Sequence, residues 1–476
     1  VGSRSEIERI GETKLDRIKV GFLPLYLALY DQTDPQVRPI IDSFSQKVCC
    51  HLRDLDLDVT AVPVCRISEE FENAVDLFVE ADVCAVITLH LAYSPSLECI
   101  DALSRLNVPI IIMDTTPDYS FDQNTHIDAI MYNHGIHGVQ DMCSLLKRRN
   151  KTYFVEAGHI DHSDILERIH GLCKSAYAAI RFKTARVGLV GRPFVGMGDF
   201  QVSEQVLAAQ IGMKVVPYSI LDTQKHEGYI TQDAIEQGML VDMASYSITQ
   251  TNDYLHRQSV KAGLLIRKWI EDEKLTALSV NFLDMDEKTG LDAMPVLEID
   301  KGMSMGIGYA GEGDVLTAGL YGALYAINSQ ITFTEMFCPD WKGQTIFLSH
   351  MAEVNPSILA DKPTMEYLPF PYTKTCDPAV LYGCYQPGTA VLVNLAPVSD
   401  TKFRLILIRG KINETGTPDA LKKSVHGWFS PECRVEDLLK TYSEVGGTHH
   451  LVLLYGAVLE HLIHFGQMMS FEIHII

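Results

Sequence analysis

No stretch of this 476-residue chain is apolar for long enough to span a bilayer, and residues 1–16 are polar and charged, with no apolar signal region. Basic residues are scarce: 40 lysines and arginines stand against 61 aspartates and glutamates, a formal net charge of −21. No local basic stripe offsets that charge, so nucleic acid and anionic membrane are repelled. An uncharged substrate such as a free sugar suits this surface better than a polyphosphate. The eleven cysteines form no CxxC or zinc-knuckle spacing; Cys49 and Cys50 are adjacent, and Cys84 and Cys143 lie inside apolar runs. An odd number of scattered thiols reads as buried, reduced cysteines in a cytoplasmic protein. The absence of a G-x-S-x-G elbow removes support for a serine hydrolase. One glycine-rich turn, Gly191-Arg-Pro-Phe-Val-Gly-Met-Gly198, follows a strand, but it has neither P-loop nor dinucleotide spacing and reads as a tight strand-to-helix turn.

What is present is a large core. With 47% apolar and 21% charged residues the chain folds, and at 476 residues it calls for two or three domains. Residues 19–25, 58–64, 83–91, 108–115 and 152–157 are apolar or β-branched blocks of strand length. Between them, 36–52, 69–81, 96–106 and 138–149 carry helical periodicity with charged outer faces. Strands apolar on both faces and spaced by helices predict a parallel sheet covered on both sides. A long helix over 163–182 leads to a second series, with strands at 186–191, 214–219 and 276–282 and helices at 202–211, 232–243 and 253–273. After a small-residue helix at 313–329 the pattern changes to strands at 344–350, 389–398 and 402–412, separated by proline- and glycine-bearing turns, with one late helix at 451–469. The expected layout is therefore α/β: an N-terminal unit over 1–183, a central unit over 184–330 and a mostly β, antiparallel or barrel-like unit over 331–476. No internal repeat or low-complexity segment interrupts it.

Four segments in the second half gather acids and histidines where elements begin or end. Gly308-Tyr-Ala-Gly-Glu312-Gly-Asp314 precedes a helix; glycines flanking Glu312 leave its carboxylate approachable, while Asp314 suits a helix N-terminus and alone would make this an ordinary cap. Thr332-Phe-Thr-Glu335 buries a carboxylate in an apolar strand, which is costly without a partner. Leu348-Ser-His350-Met-Ala-Glu353 ends a strand, where a lone histidine is most often structural. Gly446-Gly-Thr-His449-His450 pairs two histidines behind two glycines, at the mouth of the last helix. Two carboxylates with one or two imidazoles form a mixed oxygen–nitrogen set that suits Mn²⁺, Co²⁺ or Fe²⁺ better than structural zinc. Spacing alone leaves open whether the four segments meet.

These segments resemble the motif blocks of the L-arabinose isomerases, in the same order and at similar spacing: Gly308–Asp314 with Thr317-Ala318, Phe333-Thr-Glu335, Ser349-His-Met-Ala-Glu-Val-Asn-Pro-Ser-Ile358, and Gly446-Gly-Thr-His-His450. Upstream, Tyr132-Asn-His-Gly-Ile-His137-Gly138 is similar to that family's Asn-Gln-x-x-His-Gly segment. The resemblance implies two Rossmann-like domains followed by a mostly β, barrel-like domain, and a homohexamer with active sites between subunits. It implies Glu312, Glu335, His350 and His450 as ligands of a divalent metal, manganese foremost, with Glu312 and Glu335 also as the catalytic acid and base. His449, His137 and His134 would contact the sugar, with Phe282 and Met197 in the pocket wall. The implied reaction is aldose–ketose isomerisation of a free sugar through a cis-enediol. A divalent cation stabilises the enediolate charge and lowers the hydroxyl pKa, while two carboxylates move the protons.

The sequence also departs from the family. The Gln-x-Leu-Tyr-Gly motif is not recognisable, Leu25-Tyr26-Leu-Ala-Leu-Tyr30 standing in its place. His134 replaces a glutamine, Met336-Phe337 an Asp-Tyr pair, and Leu451 a small polar residue. An intact ligand set inside an altered sugar-reading shell predicts a substrate preference different from L-arabinose. Two rival readings are a non-catalytic sugar-binding protein and an epimerase or aldolase of the same sugars.

Overall fold

The computed structural model describes residues 17–417 and 419–476; the polar segment 1–16 lies outside them. The described chain forms two compact units, the first ending at Tyr177 and the second beginning at Ala178.

In the first unit, β1 (Ile18–Leu25), β2 (Leu57–Ala61), β3 (Ala85–His90), β4 (Ile110–Asp114) and β5 (Tyr153–Ala157) form a parallel sheet in the order β2-β1-β3-β4-β5. The central strand β3 is buried along its whole length, as a sheet covered on both faces requires. Strand order reverses between β1 and β3, and open α/β sheets place their crevice at the carboxyl ends of such a pair. The helix expected to start at Gly138 in fact spans Ile136–Arg148, so His137 lies in its first turn and not in a preceding loop. Close neighbours explain the glycines of that segment. A side chain at Gly135 would meet the His90 carbonyl oxygen at 2.2 Å.

The second unit opens with another parallel sheet. Its strands are β6 (Arg186–Val190), β7 (Lys214–Tyr218), β9 (Ala277–Val280) and β10 (Gly308–Gly311), in the order β10-β9-β6-β7; the two-residue β8 (Ser247–Ile248) belongs elsewhere. β10 has the sequence Gly-Tyr-Ala-Gly, expected only to precede a helix, with no strand assigned to it. It is a strand because the helix Val315–Leu324 packs so close behind it that a Cβ at Gly308 would sit 2.1 Å from the Ala318 carbonyl oxygen.

Nine further strands follow: β11 (Ile331–Asp340), β12 (Thr345–His350), β13 (Thr364–Tyr367), β14 (Ala379–Cys384), β15 (Gly388–Ser399), β16 (Lys402–Ile412), β17 (Val425–Pro431), β18 (His450–Tyr455) and β19 (Glu472–Ile475). Six of them, β16-β15-β18-β11-β12-β17, are antiparallel neighbours, and three residue pairs between β17 and β16 close them into a ring. β8, β13 and β14 extend the sheet from β17, and β19 adds to β16. One apolar cluster including Leu348, Leu392, Ile406, Phe429, Leu451 and Leu453 runs through the ring strands. The late helix expected over 451–469 is two elements. Leu451-Val-Leu-Leu-Tyr is a buried strand, and after Gly456, whose φ of +90° turns the chain, a helix runs over Leu459–Met468. A short apolar run without polar punctuation carries no period to separate strand from helix. His450 therefore opens a ring strand rather than a helix.

Candidate metal centre

Glu312 stands at the carboxyl end of β10 with its backbone in the left-handed region, φ +63°, followed by Gly313 at φ +87°. The turn is braced from beneath. The Gly313 N–H donates to Ser279 Oγ at 3.0 Å, and that hydroxyl donates to the Ala310 carbonyl at 2.7 Å. Glu312 itself donates its N–H to the Val280 carbonyl and accepts from the Phe194 N–H, each at 2.9 Å. Only glycine fits at 313, where a Cβ would lie 2.6 Å from the Pro193 Cα. The strand-end turn thus presents the carboxylate away from the sheet.

The ring supplies the other side. Glu335 in β11 is directly opposite His450 in β18, and on its other flank opposite Ser349 in β12, so that His350 is one residue further on. His450 Nε2 lies 3.1 Å from Glu335 Oε1 and 3.5 Å from Glu312 Oε2; His449 Nε2 lies 3.7 Å from Glu312 Oε2 and 3.9 Å from Glu335 Oε1. Ligand-type atoms of Glu312, Glu335, His449 and His450 all fall within 4.8 Å of one another. His350 stands beside this group, its Nε2 3.5 Å from Glu335 Oε1.

Each of the three imidazoles is held from behind by its own carboxylate. His450 Nδ1 donates to Asp314 Oδ2 at 2.9 Å, His350 Nδ1 to Glu353 Oε2 at 2.7 Å, and His449 Nδ1 to Asp199 Oδ2 at 2.7 Å. This arrangement places a proton on Nδ1 and turns Nε2 toward the glutamates, the pattern that metal-ligating histidines use. Asp314 also caps the helix Val315–Leu324, accepting from the Thr317 N–H at 2.9 Å. Glu353 further accepts from the Tyr309 hydroxyl at 3.1 Å. Aromatic rings wedge the imidazoles: Phe200 stacks on His450 with centroids 5.0 Å apart and planes at 13°, and Phe333 packs edge-on against it.

The electrostatics match a cation site. Burial disfavours the Glu312 carboxylate, but the neighbouring imidazoles of His449 and His450 outweigh it and hold its pKa down at about 2. Burial likewise disfavours the His450 imidazolium, yet Asp314, Glu312 and Glu335 push its pKa well above the ordinary value. His350 is raised by Glu353 against its burial, and His449 by Glu312. Two buried atoms at the centre, Glu312 Oε2 and His450 Nε2, make no hydrogen bond of good geometry. Orphaned donors and acceptors are rare in a folded interior. A divalent cation accepting both lone pairs satisfies them, and a set of two carboxylates and imidazoles fits one.

The pocket-wall residues expected from the sequence are also in this unit. Phe282 follows β9 and packs in an aromatic group with Phe194 at 5.9 Å, Phe370 at 5.6 Å and Tyr372 at 6.2 Å between centroids. Met197 is part-exposed in the loop that runs from Phe194 to Phe200. His134 and His137 belong to the first unit; their rings are 5.8 Å apart, His134 Nε2 meets the Tyr30 hydroxyl at 3.2 Å, and His137 is exposed. Two of the residues expected to alter sugar reading do not face this site. Successive strand residues point to opposite sides, so Met336 and Leu451, next to Glu335 and His450, turn away into the apolar cluster of the ring. Asp199 and Phe200 were not anticipated, although they directly follow the glycine-rich turn that was singled out.

Known proteins carry the same arrangement of segments. The L-arabinose isomerase central domain matches residues 197–330, and the L-arabinose isomerase C-terminal domain matches 330–472. The chain belongs to the L-arabinose isomerase family. L-arabinose isomerases from Oceanobacillus iheyensis and Klebsiella pneumoniae are 24% and 27% identical to it, over 82% and 83% of this chain and 84% and 81% of theirs. L-arabinose isomerase 1 of Bacillus licheniformis is 24% identical over 91% of this chain and 89% of its own. Among solved structures, a periplasmic solute-binding protein from Actinobacillus succinogenes with bound D-allose covers 65% of this chain and 91% of its own at 12% identity, with a TM-score of 0.17. That likeness is too weak to favour a binding protein over an isomerase. Among the described residues no helix is long and apolar enough to cross a membrane.

Proposed function

We propose that this protein is a metal-dependent aldose–ketose isomerase acting on a free sugar of the arabinose kind, and that it works inside the cell. The observation that carries the reading is the convergence of Glu312, Glu335, His449 and His450, with His350 beside them, around two buried atoms that make no hydrogen bond of good geometry. Glu312, Glu335, His350 and His450 would hold the ion, manganese foremost, with His449 toward the substrate. When bound, a divalent cation supplies charge to stabilise an enediolate and to acidify a sugar hydroxyl.

The chain's own groups do the rest. Glu312 and Glu335 come from different sheets and converge at the centre, so a sugar bound there would have two carboxylates within reach. One takes the proton from C2 while the other serves the hydroxyl, and the proton returns at C1. Asp314 and Glu353 keep two imidazoles from rotating, and Phe200 and Phe333 keep water from their faces. Domains over 1–183, 184–330 and 331–476 would go with this reading, the meeting of the two family matches at residue 330 supporting the second boundary. His137 would complete the site of a neighbouring subunit in a homo-oligomer, a hexamer by family resemblance. Co-assembling an inactive Glu312→Gln chain with an inactive His137→Ala chain restores part of the activity if it does, and leaves mixed oligomers dead if it does not.

Purified protein reconstituted with Mn²⁺ and offered a panel of aldopentoses and aldohexoses should yield the matching ketose. Replacing Glu335 with Gln should abolish that product and loosen the metal. An epimerase would give a second aldose instead, an aldolase shorter fragments, and a binding protein no product. With Met336 and Leu451 turned away, a preference other than L-arabinose rests on His134, Phe337 and the altered Leu25–Tyr30 segment.

A further inference from the structure

Asp199 lies in the loop after β6, outside any helix or strand. A single oxygen of its carboxylate accepts two hydrogen bonds from one residue: the main-chain N–H of His449 at 3.0 Å and its ring Nδ1 at 2.7 Å. The loop is itself tied to the centre. Asn281 Nδ2 donates to the Arg192 carbonyl at 2.7 Å, Phe194 donates its N–H to the Glu312 carbonyl at 2.9 Å, and Gln201 Nε2 donates to the Phe194 and Met197 carbonyls at 2.9 and 2.6 Å. Phe200, the next residue, lies flat on His450. The carboxylate is therefore anchored from both sides of its own loop.

Of the three carboxylate–histidine pairs, two are sealed from solvent. The Asp314 and His450 side chains are 0% exposed and those of Glu353 and His350 6%, whereas Asp199 and His449 are 38% and 39% exposed. His449 is thus the ring that an incoming molecule meets first. Its Nε2 lies 3.7 and 3.9 Å from the two glutamates, longer than a hydrogen bond, so it keeps its bonding capacity for a sugar oxygen arriving from the solvent side.

We infer that Asp199 is a positioning residue for substrate: by clamping the backbone and Nδ1 of His449 it aims Nε2 at a sugar oxygen at the mouth of the two-glutamate centre. This rests on the isomerase reading of that centre. Asp199 touches no reacting atom and acts only through the ring. An amide in its place keeps the shape but loses the charge-assisted bond, and alanine releases the ring altogether.

The test uses Asp199→Asn, Asp199→Ala and Asp199→Glu in the full-length protein, with three measurements. Calorimetry follows Mn²⁺ binding to the metal-free protein, then binding of L-arabitol, a five-carbon alditol, to the Mn²⁺-loaded protein; steady-state assays give kcat and KM. Outer partners of site histidines are typically worth about 10- to 100-fold. The Asn and Ala variants should weaken alditol binding and raise KM on that scale while Mn²⁺ affinity changes by no more than about twofold, and the Glu variant should recover part of the loss. Unchanged alditol binding in the Ala and Asn variants overturns the inference. So does a loss of Mn²⁺ affinity in step with the alditol, since Asp199 would then serve the metal. Wild-type protein that binds Mn²⁺ and alditol but converts no aldose defeats the isomerase reading instead, and the alditol measurements still decide the role of Asp199.

Discussion

Glu312 concentrates two demands in one residue. Its φ of +63° is a conformation that costs a non-glycine side chain roughly 1–2 kcal/mol, and such strain persists at sites where the surroundings enforce it. Glycine at this position should relax it. Metal-free Glu312→Gly is expected to unfold later than metal-free Glu312→Gln, by about 1 kcal/mol in thermal or urea melts, although neither variant turns over. Asp314 also serves twice, as helix cap and as the carboxylate behind His450. Asparagine caps as well as aspartate but brings no charge to the imidazole. Asp314→Asn should therefore weaken Mn²⁺ binding about 10- to 100-fold at nearly unchanged stability, while Asp314→Ala should lose the same affinity and about 1 kcal/mol of stability besides. Calorimetry with parallel melts separates the two roles. At this scale the sequence was readable where residue type and chemistry agree, as with two glutamates and a histidine pair next to glycines. Asp199 was not readable, because an aspartate after a glycine-rich turn resembles any surface loop until the chain brings residue 449 back to it.

Elements were legible in proportion to their periodicity. The helix expected over residues 253–273 is Asp253–Glu273, and the strand expected over 402–412 is Lys402–Ile412. Each is long enough for its period to be counted. β10 and β18 were lost for opposite reasons: the first is too rich in glycine to look like a strand, the second too uniformly apolar to show any period. Both carry the site, so its chemistry was legible while its scaffolding was not. At the end of β3, His90 has a pH consequence. It is completely buried, its Nδ1 bonded to Ser94 Oγ at 2.7 Å and its Nε2 without a partner. Burial, only weakly opposed by Asp141, pushes its pKa down to about 3. Above the ordinary value of 6.5 the ring is neutral folded or unfolded and the pH has no effect through it. As the pH falls from 6.5 toward 3 the unfolded chain takes up a proton that the fold refuses, so stability drops, by up to about 1.4 kcal/mol per pH unit. Urea titrations of the full chain across this window should show a steeper decline for wild type than for His90→Gln, which has no proton to gain.

On the scale of the whole second unit, the candidate ligands come from two different sheets: Glu312 from the end of a parallel one, Glu335, His350 and His450 from the ring. An ion bound to both ties them together. By mass action a ligand at 100 times its dissociation constant adds about 2.7 kcal/mol to the folded state. Saturating Mn²⁺ should raise the melting temperature of wild type, with a chelator reversing the shift, and the shift should vanish in Glu335→Gln. The order of the units was legible from the alternation of periods along the chain, but ring closure was not, because β16 and β17 meet through only three residue pairs that no local pattern announces. The pairing of Glu335 with His450 has a further consequence. A slip of one residue between β11 and β18 turns one of the two away from the centre, and the ion loses a ligand. Ion uptake therefore works as a proofreading signal for assembly: in a refolding mixture, the fraction of chains that retain manganese through gel filtration counts those whose strands have found their proper partners.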